Sequence, residues 1–256
     1  MDIQPGEIKK VQPKLVDVCI LMDITGSMNS YIRNARDSVL DAFDALRSMY
    51  PNCEFRLSFI GYRDYEDEEQ FIVIPFTFDI ESVRNKISII RALGGNDVPE
   101  DVAGAFKKTS ELDWQGDVKT IFFVTDAPAH GTDYHPITLG DRYPRGDPTG
   151  LDPKQQAIEF AQQGIDLTLF RVTPQVDMMI EQFYDAYKHS SAIGLFTVLD
   201  VEKQLNPYQN SSDDDMEMDR CISSFDMYVK HDYSESSDIF KKGLIASTSS
   251  SLDRCK

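Results

Sequence analysis

The chain has 256 residues, 41% of them hydrophobic, and its 26 Lys and Arg against 43 Asp and Glu leave a formal net charge of −17. That length suits one α/β core burying about three-quarters of its unfolded surface. The charge argues against nucleic acid or an anionic membrane surface as partner, because both need a basic footprint, and no apolar stretch approaches the ~20 residues of a membrane span.

Residues 1–14 read as an N-terminal extension without the charged and apolar regions of a signal peptide, so the expected location is the cytoplasm. The apolar run 15–22 reads as a buried parallel strand. A long helix follows over 28–49, with Ile32, Ala35, Val39, Ala42, Phe43 and Leu46 on one face. Residues 56–61 form a second strand, and a short polar connection leads to a third over 71–76. Pro75 removes a ladder donor and places that strand at an edge; the short connection makes it antiparallel. Helices are expected over 80–91 and 98–112, then a fourth strand over 118–125. After a Gly- and Pro-rich loop, a helix spans 153–163 and ends at Gly164. Strand five covers 166–172, a helix 176–189, and strand six 193–199. Strand and helix alternate throughout, so the class is α/β with a mostly parallel sheet. Residues 201–234 carry an acidic run, Asp213-Asp214-Asp215, and read as a partly disordered insertion in which 222–230 adds a weak strand pattern. Residues 235–256 hold a last helix packed on the sheet, with 247–256 expected to fray.

Three loops carry the chemistry. Asp23-Ile24-Thr25-Gly26-Ser27 leaves the first strand and opens a helix, the place where open α/β sheets put their ligand sites. It offers one carboxylate and two hydroxyls, hard oxygens that suit Mg²⁺, Mn²⁺ or Ca²⁺. Ser, Thr and Asp also cap helices, so this loop alone is weak. Gly94-Gly95-Asn96-Asp97-Val98-Pro99-Glu100-Asp101 is a second Gly-rich acidic turn before a helix. Thr125-Asp126-Ala127-Pro128-Ala129-His130-Gly131 is a third, fed by the fourth strand. Parallel strands end side by side, which lets Asp23 and Asp126 converge, and carboxylates held that close repel unless a cation sits between them. Cys19, Cys53, Cys221 and Cys255 lack zinc-cluster spacing, so structural zinc is not expected.

The set D-I-T-G-S, G-G-N-D-V-P-E-D and T-D-A-P-A-H-G resembles the von Willebrand factor type A domain and its metal-ion-dependent adhesion site. The stretches Phe55 to Asp64 and Gly131 to Pro153 resemble the type A domains attached to atypical alpha-kinases. The resemblance spans residues 15–200 and the final helix. It implies a doubly wound, six-stranded, mostly parallel sheet with one antiparallel edge strand and helices on both faces. It implies a metal held by Thr25 and Ser27 directly, with Asp23 and Asp126 balancing charge directly or through water, and Asp97, where many members have Thr, completing the ring by a contact that is direct, water-mediated or supplied by Asn96. Gly26, Asn96 and His130 would border the partner, while His130 and His135, which flank the third loop, read as structuring it rather than as metal ligands. The implied function is a metal-dependent adaptor with no catalysis of its own, whose open metal position takes an acidic side chain from a protein partner.

Two alternatives stand beside it. A haloacid-dehalogenase-type phosphatase would use Asp23 as nucleophile, since D-I-T-G-S approaches the D-K-T-G-T of ion pumps. Ile24 is not the required Lys, however, and Thr25 is not the second Asp of the non-pump members. A type A module whose metal is only structural is the other. The sequence carries no phosphate-binding glycine loop of a kinase and no G-x-S-x-G of a hydrolase.

Overall fold

A computed structural model describes residues 14–190, 193–200 and 239–254. Six strands form one sheet: β1 (Lys14–Asp23), β2 (Cys53–Tyr62), β3 (Phe71–Thr77), β4 (Val118–Thr125), β5 (Ile165–Arg171) and β6 (Phe196–Asp200). Their spatial order is β3-β2-β1-β4-β5-β6. Every neighbouring pair is parallel except β2 with β3. Pro75 sits where the β2–β3 register slips, between the pairs Phe59↔Ile74 and Leu57↔Thr77. The missing donor is thus absorbed by an irregularity at the sheet's edge, as expected of a strand proline.

The helices are α1 (Ile32–Met49), α2 (Ile80–Ser88), α3 (Val102–Ser110), α4 (Pro153–Gln162), α5 (Asp177–His189) and α6 (Ile239–Arg254). β1 is buried on both faces and divides its side chains by parity. Val16, Val18, Ile20 and Met22 enter a core shared with Phe43 and Leu46 of α1, Val83 of α2 and Leu252 of α6. Cys19 and Leu21 enter the opposite core with Phe106 of α3, Phe160 of α4 and Phe183 of α5. Helices cover both faces, so β1 reads as a nearly continuous apolar run from Val18 to Met22 rather than an alternating one.

Several expected boundaries move for local reasons. The helix expected from residue 28 opens as a 3-10 turn over Gly26–Ser30 before α1 begins at Ile32. On its apolar face Ile32, Ala42, Phe43 and Leu46 are buried; the side chains of Ala35 and Val39 lie outside the described ones. The helix expected over 98–112 narrows to α3, because Asp101 caps it by accepting a hydrogen bond from Gly104 N at 2.6 Å. The sixth strand begins at Phe196 rather than 193, since Gly194 N bonds back to Ala161 O at 3.1 Å and closes a turn. The acidic insertion and its weak strand at 222–230 lie outside the described residues.

The end of the chain differs from expectation. α6 continues to Arg254, with Thr248, Ser251 and Leu252 buried, so 247–254 is not frayed. Its hydroxyls bind the sheet: Thr168 Oγ1 and Ser247 Oγ lie 2.6 Å apart, and Ser251 Oγ donates to Asp166.

Candidate functional site

The chain order places β2 on one side of β1 and β4 on the other, so the connections leaving β1 and β4 part at the sheet's C-terminal edge. That is the switch point where open α/β sheets bind ligands. Asp23 lies opposite Tyr62 at the end of β2, and Met22 opposite Val124 at the end of β4. The three strand ends therefore deliver Asp23, Asp64 and Asp126 to one edge.

Four of the expected residues meet there. Asp23 Oδ1 accepts from Thr25 N at 2.8 Å and from Thr25 Oγ1 at 2.7 Å. Thr25 Oγ1 lies 3.2 Å from Ser27 Oγ, which donates to Asp126 Oδ1 at 3.1 Å. The other oxygen of Asp23 has only Thr125 Oγ1, at 3.4 Å, and that hydroxyl also lies 2.8 Å from Ala127 O, which competes for its single proton. No cationic side chain is among these contacts. Asp23 is fully buried, and its pKa rises to about 8, chiefly from burial and next from the charge of Asp126. Burial raises Asp126 as well. Ser27 and Gly26 are exposed, so the cluster opens outward on the hydroxyl side.

The second loop enters differently from the expectation. Gly26 N donates to Gly94 O at 3.1 Å and Leu93 N to Ile24 O at 3.0 Å, which fastens it to the first loop. The carboxylate it aims at Thr25 and Asp23 belongs to Glu100. Glu100 is 2% exposed, its Oε2 has no hydrogen-bond partner among the described residues, and burial followed by the charges of Asp23 and Asp64 pushes its pKa to about 11. Gly95, at φ +81°, makes room for it: a Cβ there would come within 2.8 Å of Glu100 Oε1. Glu100 N donates to Pro128 O at 2.9 Å, tying the second loop to the third.

Asp97 turns away from this cluster. Its Oδ2 accepts from Arg142 N at 2.7 Å, and its carboxylate neighbours Asp64 and His130. Asn96 is exposed. His130, expected to border a partner, is 3% exposed, with Nε2 2.8 Å from Asp64 Oδ1 and Nδ1 2.7 Å from Asp141 Oδ1. It lacks the exposed face a partner would need. Two residues were missed by the sequence reading, Glu100 and Asp64. Each had a signal: Glu100 opens the run into α3, and Asp64 follows the strand that neighbours β1.

Residues 17–136 match the family model of the von Willebrand factor A domain. Alpha-protein kinase vwkA of Dictyostelium discoideum is 35% identical over 140 residues, which is 53% of this chain and 22% of the kinase. The matched region thus spans about a fifth of that relative's length. The pilus adhesin SpaC of Lactobacillus rhamnosus GG, in its open conformation, shares the fold with a TM-score of 0.55 at 12% identity, covering 96% of this chain and 31% of the adhesin. Another form of SpaC gives a TM-score of 0.54 at 12% identity, over 97% of this chain and 31% of the adhesin. The sequence match over residues 17–136, together with a doubly wound sheet whose switch point gathers the first and second loops, makes this region of the chain similar to the von Willebrand factor A domain.

Proposed function

We propose that this chain is a divalent-metal-dependent protein-binding module, without catalysis of its own, that takes a partner's Asp or Glu side chain at an open metal position. One observation carries the reading. Asp23 is fully buried beside Asp126 and Glu100, and among the described residues hydroxyls and one backbone amide are its only donors. Buried carboxylates without a cation are costly, and an all-oxygen donor set suits Mg²⁺, with Mn²⁺ or Ca²⁺ as substitutes. Thr25 and Ser27 would offer hydroxyl oxygens to the ion, and Asp23 and Asp126 would balance its charge. The second-loop carboxylate would be Glu100, in place of Asp97. An ion held there would supply positive charge to an incoming carboxylate, which the chain's own side chains at this cluster do not.

The backbone bonds from Gly26 to Gly94 and from Leu93 to Ile24 already fasten the loops to each other. That favours an ion used for binding over one needed only to hold the loops. Among the described residues no helix is long and apolar enough to cross a membrane, and the chain is read as a cytoplasmic adaptor. The test is affinity capture from native extract with Mg²⁺ or with EDTA, with Asp23→Ala as control. A partner retained in Mg²⁺, released by EDTA and absent with the variant supports the reading. Capture that persists in EDTA, or an acid-stable phosphoenzyme at Asp23, would overturn it.

A further inference from the structure

Beside the hydroxyl-lined cluster, one donor atom each from Asp64, Asp97 and His130 lies within 4.8 Å of the other two. The three residues come from three different loops. Asp64 is fully buried; its Oδ1 meets His130 Nε2, but its Oδ2 has no partner among the described residues. Asp97 Oδ1 is likewise buried without a partner, its other oxygen being held by Arg142 N. Two carboxylate oxygens thus lie in one small space that supplies no donor to either.

The charges do not balance. Asp64, Asp97 and Asp141 lie against two imidazoles, His130 and, on Asp141 alone, His135; even with both protonated, one carboxylate is left over. The nearby guanidinium groups point elsewhere: Arg63 toward the backbone of Glu69 and Arg91, Arg142 toward Glu66.

We propose that Asp64, Asp97 and His130 form a second divalent-cation site, separate from the first, which takes a first-row transition ion such as Mn²⁺ in preference to Mg²⁺. The imidazole sets the preference. Carboxylates accept Mg²⁺, Ca²⁺ and Mn²⁺ alike, whereas imidazole nitrogen favours transition ions. Asp141 supplies the support such a ligand needs. Its carboxylate accepts from Gly131 N at 2.8 Å and Tyr143 N at 2.6 Å, lies 2.9 Å from His135 Nε2, and so stands fixed against His130 Nδ1. Held there, the Nδ1 proton leaves Nε2 as the ligating nitrogen and raises its basicity. Binding displaces the proton that Nε2 otherwise shares with Asp64. An ion at this point joins the loop after β2, the second loop and the segment 130–142, so it would stiffen the rim around the first site.

The competing account is a proton shared between Asp64 and Asp97. Mn²⁺ titration followed by electron paramagnetic resonance separates the two. The wild-type chain should bind two Mn²⁺ tightly, one of which excess Mg²⁺ displaces. Asp23→Ala should keep the Mg²⁺-resistant ion, whose spin-echo decay carries ¹⁴N modulation from a bound imidazole. Asp97→Asn retains an oxygen for Arg142 N, so the fold should survive, but the Mg²⁺-resistant ion should bind at least about tenfold more weakly. A lone Mg²⁺-displaceable ion in wild type, a resistant ion without ¹⁴N modulation, or Asp97→Asn that keeps both ions would overturn the proposal. Failure of the first site alone shows instead as loss of the displaceable ion while the modulated one stays.

Discussion

Asp17 and Asp23 lie on the same strand, and both are fully buried. Asp17, toward the N-terminal end of β1, accepts from Arg56 Nε at 2.8 Å and Nη2 at 2.7 Å, and from Gln115 N and Gly116 N at 2.7 Å each. Asp23, at the C-terminal end, has two bonds from Thr25 and a long contact with a shared hydroxyl, and faces Asp126 and Glu100. The first charge is neutralised within the chain by a bidentate guanidinium and aligned amides. The second meets no cationic side chain among the described residues, and on the function proposed above a divalent ion would supply the missing charge. Burial alone therefore does not distinguish the two carboxylates; the presence or absence of a cation does.

The largest effect should come from breaking the self-contained end. Arg56→Ala leaves Asp17 buried and unpaired and should cost about 3–5 kcal/mol in urea unfolding, with or without Mg²⁺. The same removal of charge at the other end should act in the opposite direction. Asp23→Asn should stabilise the metal-free protein by about 1–3 kcal/mol, the scale of a relieved buried polar penalty, while abolishing stabilisation by Mg²⁺.

The pH dependence follows from the raised pKa. Asp23 moves from 3.8 to about 8 on folding, so the folded state keeps a proton that the unfolded chain has lost. Its contribution to stability therefore falls as pH climbs through that interval and levels off above it. Glu100, raised from 4.5 to about 11, extends the decline. Unfolding in EDTA across this range should show falling stability, the slope should be smaller in Asp23→Asn, and saturating Mg²⁺ should remove it. Thr25→Ala deletes one hydrogen bond to Asp23 and should cost the metal-free protein about 1 kcal/mol, with a larger loss of Mg²⁺ affinity by calorimetry. The smallest effect belongs to the exposed pair Lys107–Glu111, 3.6 Å apart; Lys107→Ala should change unfolding by less than about 0.5 kcal/mol.

The sheet was legible because each buried strand is an apolar run bounded by polar or Gly-containing turns, and Pro75 marked the edge. The hydroxyl part of the site was legible because Asp23, Thr25 and Ser27 are local in sequence. Glu100 and Asp64 were harder. Their roles depend on which loop residue turns inward, and for Glu100 the positive φ of Gly95 makes the room through the backbone rather than through a spacing. Asp97 illustrates the difficulty: it lies three positions before Glu100, yet the turn sends it to His130. The last helix was cut short because its Ser and Thr residues lack apolar periodicity. Its contacts with β5 run through hydroxyls to Asp166 and Thr168, a pattern that hydrophobic spacing does not report.

The central claim is that the C-terminal end of β1 needs a cation that the chain does not supply. Thermal unfolding of metal-stripped protein, with and without Mg²⁺, tests it most directly. At a hundredfold excess over its dissociation constant the ion should stabilise the fold by about 2.7 kcal/mol, a rise in Tm of about 5–10 °C for a domain of this size. Asp23→Ala should show no rise while retaining a cooperative transition. A wild-type curve that Mg²⁺ leaves unmoved, or a Mg²⁺-dependent rise that persists in Asp23→Ala together with Asp126→Ala, would contradict the account.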